Sequence, residues 1–228
     1  MLSRLDAIRR RARAHPAAAR AVALLRLLIG FAFLPAGVRK VLGQPFTDAA
    51  NHGPFHDFLH AFHATGGFYR AVGVVQLVAA LLLMTQHRAA LGAALALPVM
   101  SAILAFCWST AVYPTAIVVT LMVAGLCGLL VWELPAWRSL VAPAAGDVPA
   151  PPDPPEALDR PVWAAAGLAV AALYATACAL EGGVYRPRGM DLGAPGFWLL
   201  GAIALVPLVA YAVERRRRPR RALTPSAS

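Results

Sequence analysis

Cysteine is scarce in this chain. Cys107, Cys127 and Cys178 are its three thiols, and none sits in a C-x-x-C pair, which excludes a dithiol redox motif and a zinc knuckle. Each falls inside an apolar run, where a thiol packs as a small hydrophobe. Charge is also thin, at 14% of residues against about 25% in ordinary soluble domains. Strands of alternating polarity are missing, so a membrane β-barrel is excluded. There is no nucleotide loop, H-E-x-x-H, G-x-S-x-G or in-membrane carboxylate pair. With no catalytic motif, an accessory subunit is expected rather than a stand-alone enzyme.

Long apolar runs are what the chain has instead. Six of them, centred near Phe31, Val78, Val99, Val123, Val170 and Ile203, meet the roughly 20-residue length that a bilayer core of about 30 Å demands of a helix. The expected fold is all-α, a polytopic transmembrane helix bundle whose first partner is the lipid bilayer. Most of the 21 basic residues flank the first and last runs, in "RLDAIRRRARAHPAAAR" and "ERRRRPRR". That bias places both termini in the cytoplasm, where they would attract anionic lipids, and argues against a nucleic-acid role. The Arg-for-Lys bias and Ala richness fit a GC-rich bacterium, hence a multi-pass protein of the inner membrane.

The pattern divides the chain into five parts. Residues 1–20 form a basic segment, with Leu2, Leu5 and Ile8 at helical spacing as for an interfacial helix. Residues 21–138 form a four-helix unit with an external loop at 42–67. A Pro-rich linker follows at 139–160, its prolines favouring extended backbone. Two further transmembrane helices, an appendage that could be functionally separate, occupy 161–213, and an Arg-rich tail runs over 214–228. Pro35, Pro98 and Pro207 lie within spans and predict kinks, whereas Pro114, Pro161 and Pro195 suit helix starts. Gly30, Ala36 and Gly37, with Gly92, Ala93, Ala94 and Ala96, mark faces where helices approach closely.

The external loop holds "HGPFHDFLHAFH", residues 52–63, with four of the six histidines. On a helix, Phe55, Phe58, Leu59 and Phe62 share one sector and His56, His60 and His63 the next. Two readings stand. The three imidazoles could bind Zn²⁺, Cu²⁺ or haem, or they form the wet face of an interfacial helix.

Ionisable and amide groups within spans are costly, which makes each a functional candidate. Arg26 either snorkels to the cytoplasmic surface or pairs with Glu133. Gln76 must face the bundle interior, to bind a ligand carbonyl such as a quinone head group or to bond a neighbouring helix through Ser101 or Thr120. Arg39, Lys40 and Arg70, with Trp108 and Tyr113 at the same level, would make a cationic, aromatic-rimmed mouth or an ordinary interface belt.

"RLLIGFAFLPAGVRKVLG" and "GFYRAVGVVQLVAALLLMTQHRAALGAALALPVMSAIL" carry a resemblance. Arg26, Gly30, Phe33, Gly37 and Lys40, then Gly73, Gln76, Leu77, Arg88, Gly92 and Ala93, fall in the order found in the DoxX-like membrane proteins, which residues 20–138 resemble. Many relatives carry Glu where this chain has Gln76, so a proton-handling carboxylate is not implied. The family is tied to thiosulfate:quinone oxidoreductase subunits and to assemblies that counter oxidative stress. The resemblance implies an accessory redox role with a quinone near Gln76. Two other functions are carried beside it: a small-molecule or lipid transporter, and a membrane scaffold or assembly factor that recruits a membrane or cytoplasmic protein partner.

Overall fold

The structure, a computed structural model, describes residues 2–141, 157–185 and 192–222. Most of the 139–160 linker and the end of the Arg-rich tail lie outside the described residues, as do Arg186 and Arg188. Among the described residues every regular element is helical. The order is α1 (Leu2–Arg13), α2 (Pro16–Val41), α3 (Pro54–Ala64), α4 (Gly67–Met84), α5 (Ala89–Ser109), α6 (Tyr113–Trp132), α7 (Leu134–Val141), α8 (Arg160–Leu180) and α9 (Pro195–Ala222).

Six of these, α2, α4, α5, α6, α8 and α9, are long and apolar enough to cross a bilayer. Large apolar side chains such as Leu28, Val78, Leu121, Leu168 and Leu208 lie on the outside. In water that surface would aggregate; in lipid tails it is solvated. The chain is an integral membrane protein of the multi-pass helical class.

Proline marks the starts. Pro16, Pro54, Pro114, Pro161 and Pro195 each stand in the first turn of a helix, where the missing N–H removes no hydrogen bond. Pro35 and Pro98 lie inside α2 and α5, which continue past them.

α2 and α4 meet through glycine. A Cβ on Gly73 would stand 2.6 Å from Lys40 Cβ and 2.9 Å from the Gly37 carbonyl, and one on Gly30 would run into Met84. Such contact lets dispersion hold helices together where lipid supplies no hydrophobic drive between them. The last two spans pack on the first four. α8 lies against α2 and α4, and a Cβ on Gly167 would collide with the Met84 backbone. Phe31 meets Tyr174 edge-on at 6.0 Å. Glu214 of α9 is buried and accepts from Arg20 Nε at 3.1 Å and Trp163 Nε1 at 3.2 Å. A carboxylate at that depth needs charged and neutral donors, and these tie α9 to both α2 and α8.

Candidate functional site

Two polar layers lie along α2, one near its middle and one at its C-terminal end. Arg26 and Lys40 are both buried. They stand fourteen residues apart, about 21 Å along the helix axis. Gly30, Phe33 and Gly37 continue the same face between them and are buried as well.

At the first layer, Arg26 is only 1% exposed. Its Nη1 donates to Gln86 Oε1 at 3.0 Å and its Nη2 donates to the Glu133 carboxylate. The structure thus brings Arg26 and Glu133 together, and adds Gln86 from just beyond the end of α4. Gln86 has φ +59, a conformation uncommon outside glycine. Its Nε2 donates back to the Met84 carbonyl at 3.3 Å.

The basic helix α1 also packs against the bundle. Arg9 and Arg13 are buried rather than turned to lipid. Both donate to the Trp132 carbonyl, Arg13 at 3.1 Å and Arg9 at 3.5 Å. That carbonyl ends α6, where unpaired acceptors and the helix dipole favour a cation. Ile8 and Arg11 are left on the outer face of α1.

At the second layer, Lys40 is 5% exposed. Its Nζ donates to Gln76 Oε1 at 2.9 Å and lies 3.5 Å from the Ala36 carbonyl. Phe46 and Tyr69 present their rings to the ammonium, with centroids 4.3 and 5.9 Å away. Such faces attract a cation through their quadrupoles. The Tyr69 hydroxyl donates to the Gln44 carbonyl at 2.7 Å. Among the described residues, no carboxylate pairs with Lys40. Lys40 is also the chain's one lysine among 21 basic residues. That count was a signal within the sequence, since an ammonium is a compact, mobile donor and a guanidinium a fixed fork.

Gln76 therefore bonds α2 rather than Ser101 or Thr120. Its place on α4 faces the glycine seam, while Ser101 is exposed and Thr120 donates to its own helix at Ala116. Arg39 and Arg70 do gather beside Lys40. Arg39 Nε donates to the Pro45 carbonyl at 2.6 Å, and a Cβ on Gly43 would stand 3.1 Å from the Arg70 guanidinium. Trp108 is elsewhere: it pairs edge-on with Tyr113 and donates to Thr120 Oγ1 at 3.2 Å on the outer surface. The expected mouth is therefore smaller, built of Lys40, Gln76, Phe46 and Tyr69 with two flanking guanidinium groups.

The histidines do not converge. His56 Nδ1 lies 2.6 Å from Thr47 Oγ1, His60 Nε2 is 3.2 Å from the Asn51 carbonyl, and His63 Nε2 is 2.9 Å from the Gly43 carbonyl. Among the described residues no three His, Cys, Asp or Glu side chains gather as a metal would need. Facing a carbonyl, the ring nitrogens of His60 and His63 must donate. The aromatic side of α3 packs on protein as well: Phe55 stacks on Phe106 at 5.1 Å, Phe58 lies tilted against it at 4.5 Å, and Phe62 meets Tyr69 at 5.0 Å.

No family model, curated protein or solved structure matches the chain.

Proposed function

We propose that this chain is an accessory subunit of a membrane redox or oxidative-stress system, and that the Lys40–Gln76 layer holds the head group of a quinone. One observation carries the reading. A buried ammonium without a carboxylate, joined to an amide and faced by two aromatic rings, has donors for a carbonyl oxygen and a flat apolar wall for a ring. A buried ammonium is costly unless its three N–H donors are satisfied, and a quinone carbonyl would accept from one beyond those that meet Gln76 and Ala36.

The order of Arg26, Gly30, Phe33, Gly37 and Lys40 across α2, with Gly73 and Gln76 on α4, supports a DoxX-like kinship. The seam of Gly30, Gly37 and Gly73 closes α2 against α4 between the two polar layers, which favours binding at one end over passage along that seam. The Arg-rich end supports an inner-membrane orientation with both termini in the cytoplasm. Anionic headgroups would meet exposed Arg11, Arg215, Arg216 and Arg217 there.

Purification from native membranes in mild detergent, followed by solvent extraction and mass spectrometry, tests the quinone. Stoichiometric quinone that Lys40→Met and Gln76→Leu both abolish is expected. A wild-type protein that carries none, and that fails to bind an added short-chain ubiquinone or menaquinone analogue, overturns the reading.

A further inference from the structure

Residues 42–51 cover Lys40 without forming a helix. The segment leaves α2 through Gly43 at φ +69, a conformation glycine adopts without strain. Phe46 then reaches back over the ammonium. Two contacts pin the segment to the bundle: Tyr69 donates to the Gln44 carbonyl, and Arg39 to the Pro45 carbonyl.

Its other fastenings come from α3. His63 meets Gly43, His56 meets Thr47 and His60 meets Asn51, so one row of imidazoles grips the segment at its start, middle and end. Spacing explains the row, because residues 56, 60 and 63 share one face of a helix. The helix that carries them is lightly held. No residue of α3 is fully buried, and its aromatic side rests on Phe106 and Tyr69. Weakly packed elements of this kind open at low free energy without global unfolding.

From this geometry we infer that residues 42–51 are a strap over the Lys40 site, and that His56, His60 and His63 are positioning residues that hold it shut. A ligand reaches Lys40 when the strap and α3 swing away, at the outer end of the bundle beside exposed Phe58 and Phe68. The identity of what enters rests on the quinone reading; the closure does not.

The single lysine makes the strap measurable without any ligand. Full-length protein in detergent micelles is treated with formaldehyde and cyanoborohydride, and Lys40 methylation is followed by peptide mass spectrometry against an unstructured lysine peptide in the same tube. Wild-type Lys40 reacts far more slowly than the standard. His63→Ala raises its rate about tenfold, as expected when a local opening equilibrium loses one hydrogen bond and its packing. His63→Gln, whose amide can still donate to the Gly43 carbonyl, stays slow. A purely structural role for these histidines would shift the thermal midpoint and leave the rate unchanged. Equal rates in wild type, His63→Ala and the triple His→Ala variant, all folded by circular dichroism and gel filtration, overturn the strap. If the triple variant does not fold, the His63 pair decides alone. Quinone retention reads the site and methylation reads the cover, so each proposal fails by its own measurement.

Discussion

Both polar layers are built from the same parts, a buried cation on α2 and a glutamine amide from α4 or its end. They differ in what completes them. Arg26 meets Gln86 and a carboxylate, Glu133, which caps the end of α6. Lys40 meets Gln76 and two aromatic rings. The first layer is electrically closed and serves as a structural clamp between α2, α4 and α6. The second has no carboxylate partner among the described residues and is the layer proposed to hold a ligand. Between them lies the tight glycine seam, which keeps the layers chemically separate.

The comparison predicts opposite responses at the two layers. The largest loss comes from Arg26→Ala, which strands Glu133 and costs about 3–5 kcal/mol. Chemical unfolding in detergent would measure it, and the double variant with Glu133→Ala should cost clearly less than the sum of the singles. Additive losses would deny the clamp. Gly73→Ala comes next. Its Cβ must displace Lys40 or the Gly37 carbonyl, so a loss of about 1–3 kcal/mol is expected, together with any ligand bound at Lys40. A neutral Gly73→Ala would show that the seam yields.

Lys40→Met should leave stability unchanged or slightly higher, because a well-packed apolar side chain of similar size replaces a buried charge that lacks a carboxylate. A loss as large as that of Arg26→Ala would mean that both layers are structural. The smallest effect lies outside the membrane, in α1. The Arg9 side chain donates to Asp6, with Arg10 beside it, and holds its carboxyl below the ordinary value. A lowered folded pKa stabilises above the unfolded pKa, and that contribution is lost as pH falls through the folded value. The thermal midpoint of wild type should therefore exceed that of Asp6→Asn near neutral pH, the gap closing in acid. A gap that is constant with pH would remove the charge from its cause.

Much of this was legible in the residues. Six runs of sufficient length allow one class of fold, since only helices satisfy their own backbone in lipid. The pairing of Arg26 with Glu133 was one of two readings open in the sequence, with snorkelling the other, and helix packing decided between them. Other features needed three dimensions. Gln86 reads as a turn residue, and nothing in "QHR" announces a partner for Arg26. Arg9 and Arg13 look like lipid anchors until the end of α6 is placed beside them. Phe46 and Tyr69 have ordinary interface composition, and only the return of the loop sets them against Lys40. The histidine row illustrates the limit best. Its helical spacing was plain, but three imidazoles on one face suit a metal, a headgroup layer or a backbone strap equally well.

By itself, the sequence determined the solvent: its apolar runs require lipid, and lipid requires helices with their polar groups turned inward. It also ordered the basic flanks and marked the glycines where helices approach. Only the tertiary structure decided which inward groups meet, because that depends on helix rotation and on where a loop folds back, and the hydrophobic pattern is nearly indifferent to both in a bilayer. Thus one α2 cation acquired a carboxylate and the other an aromatic cover.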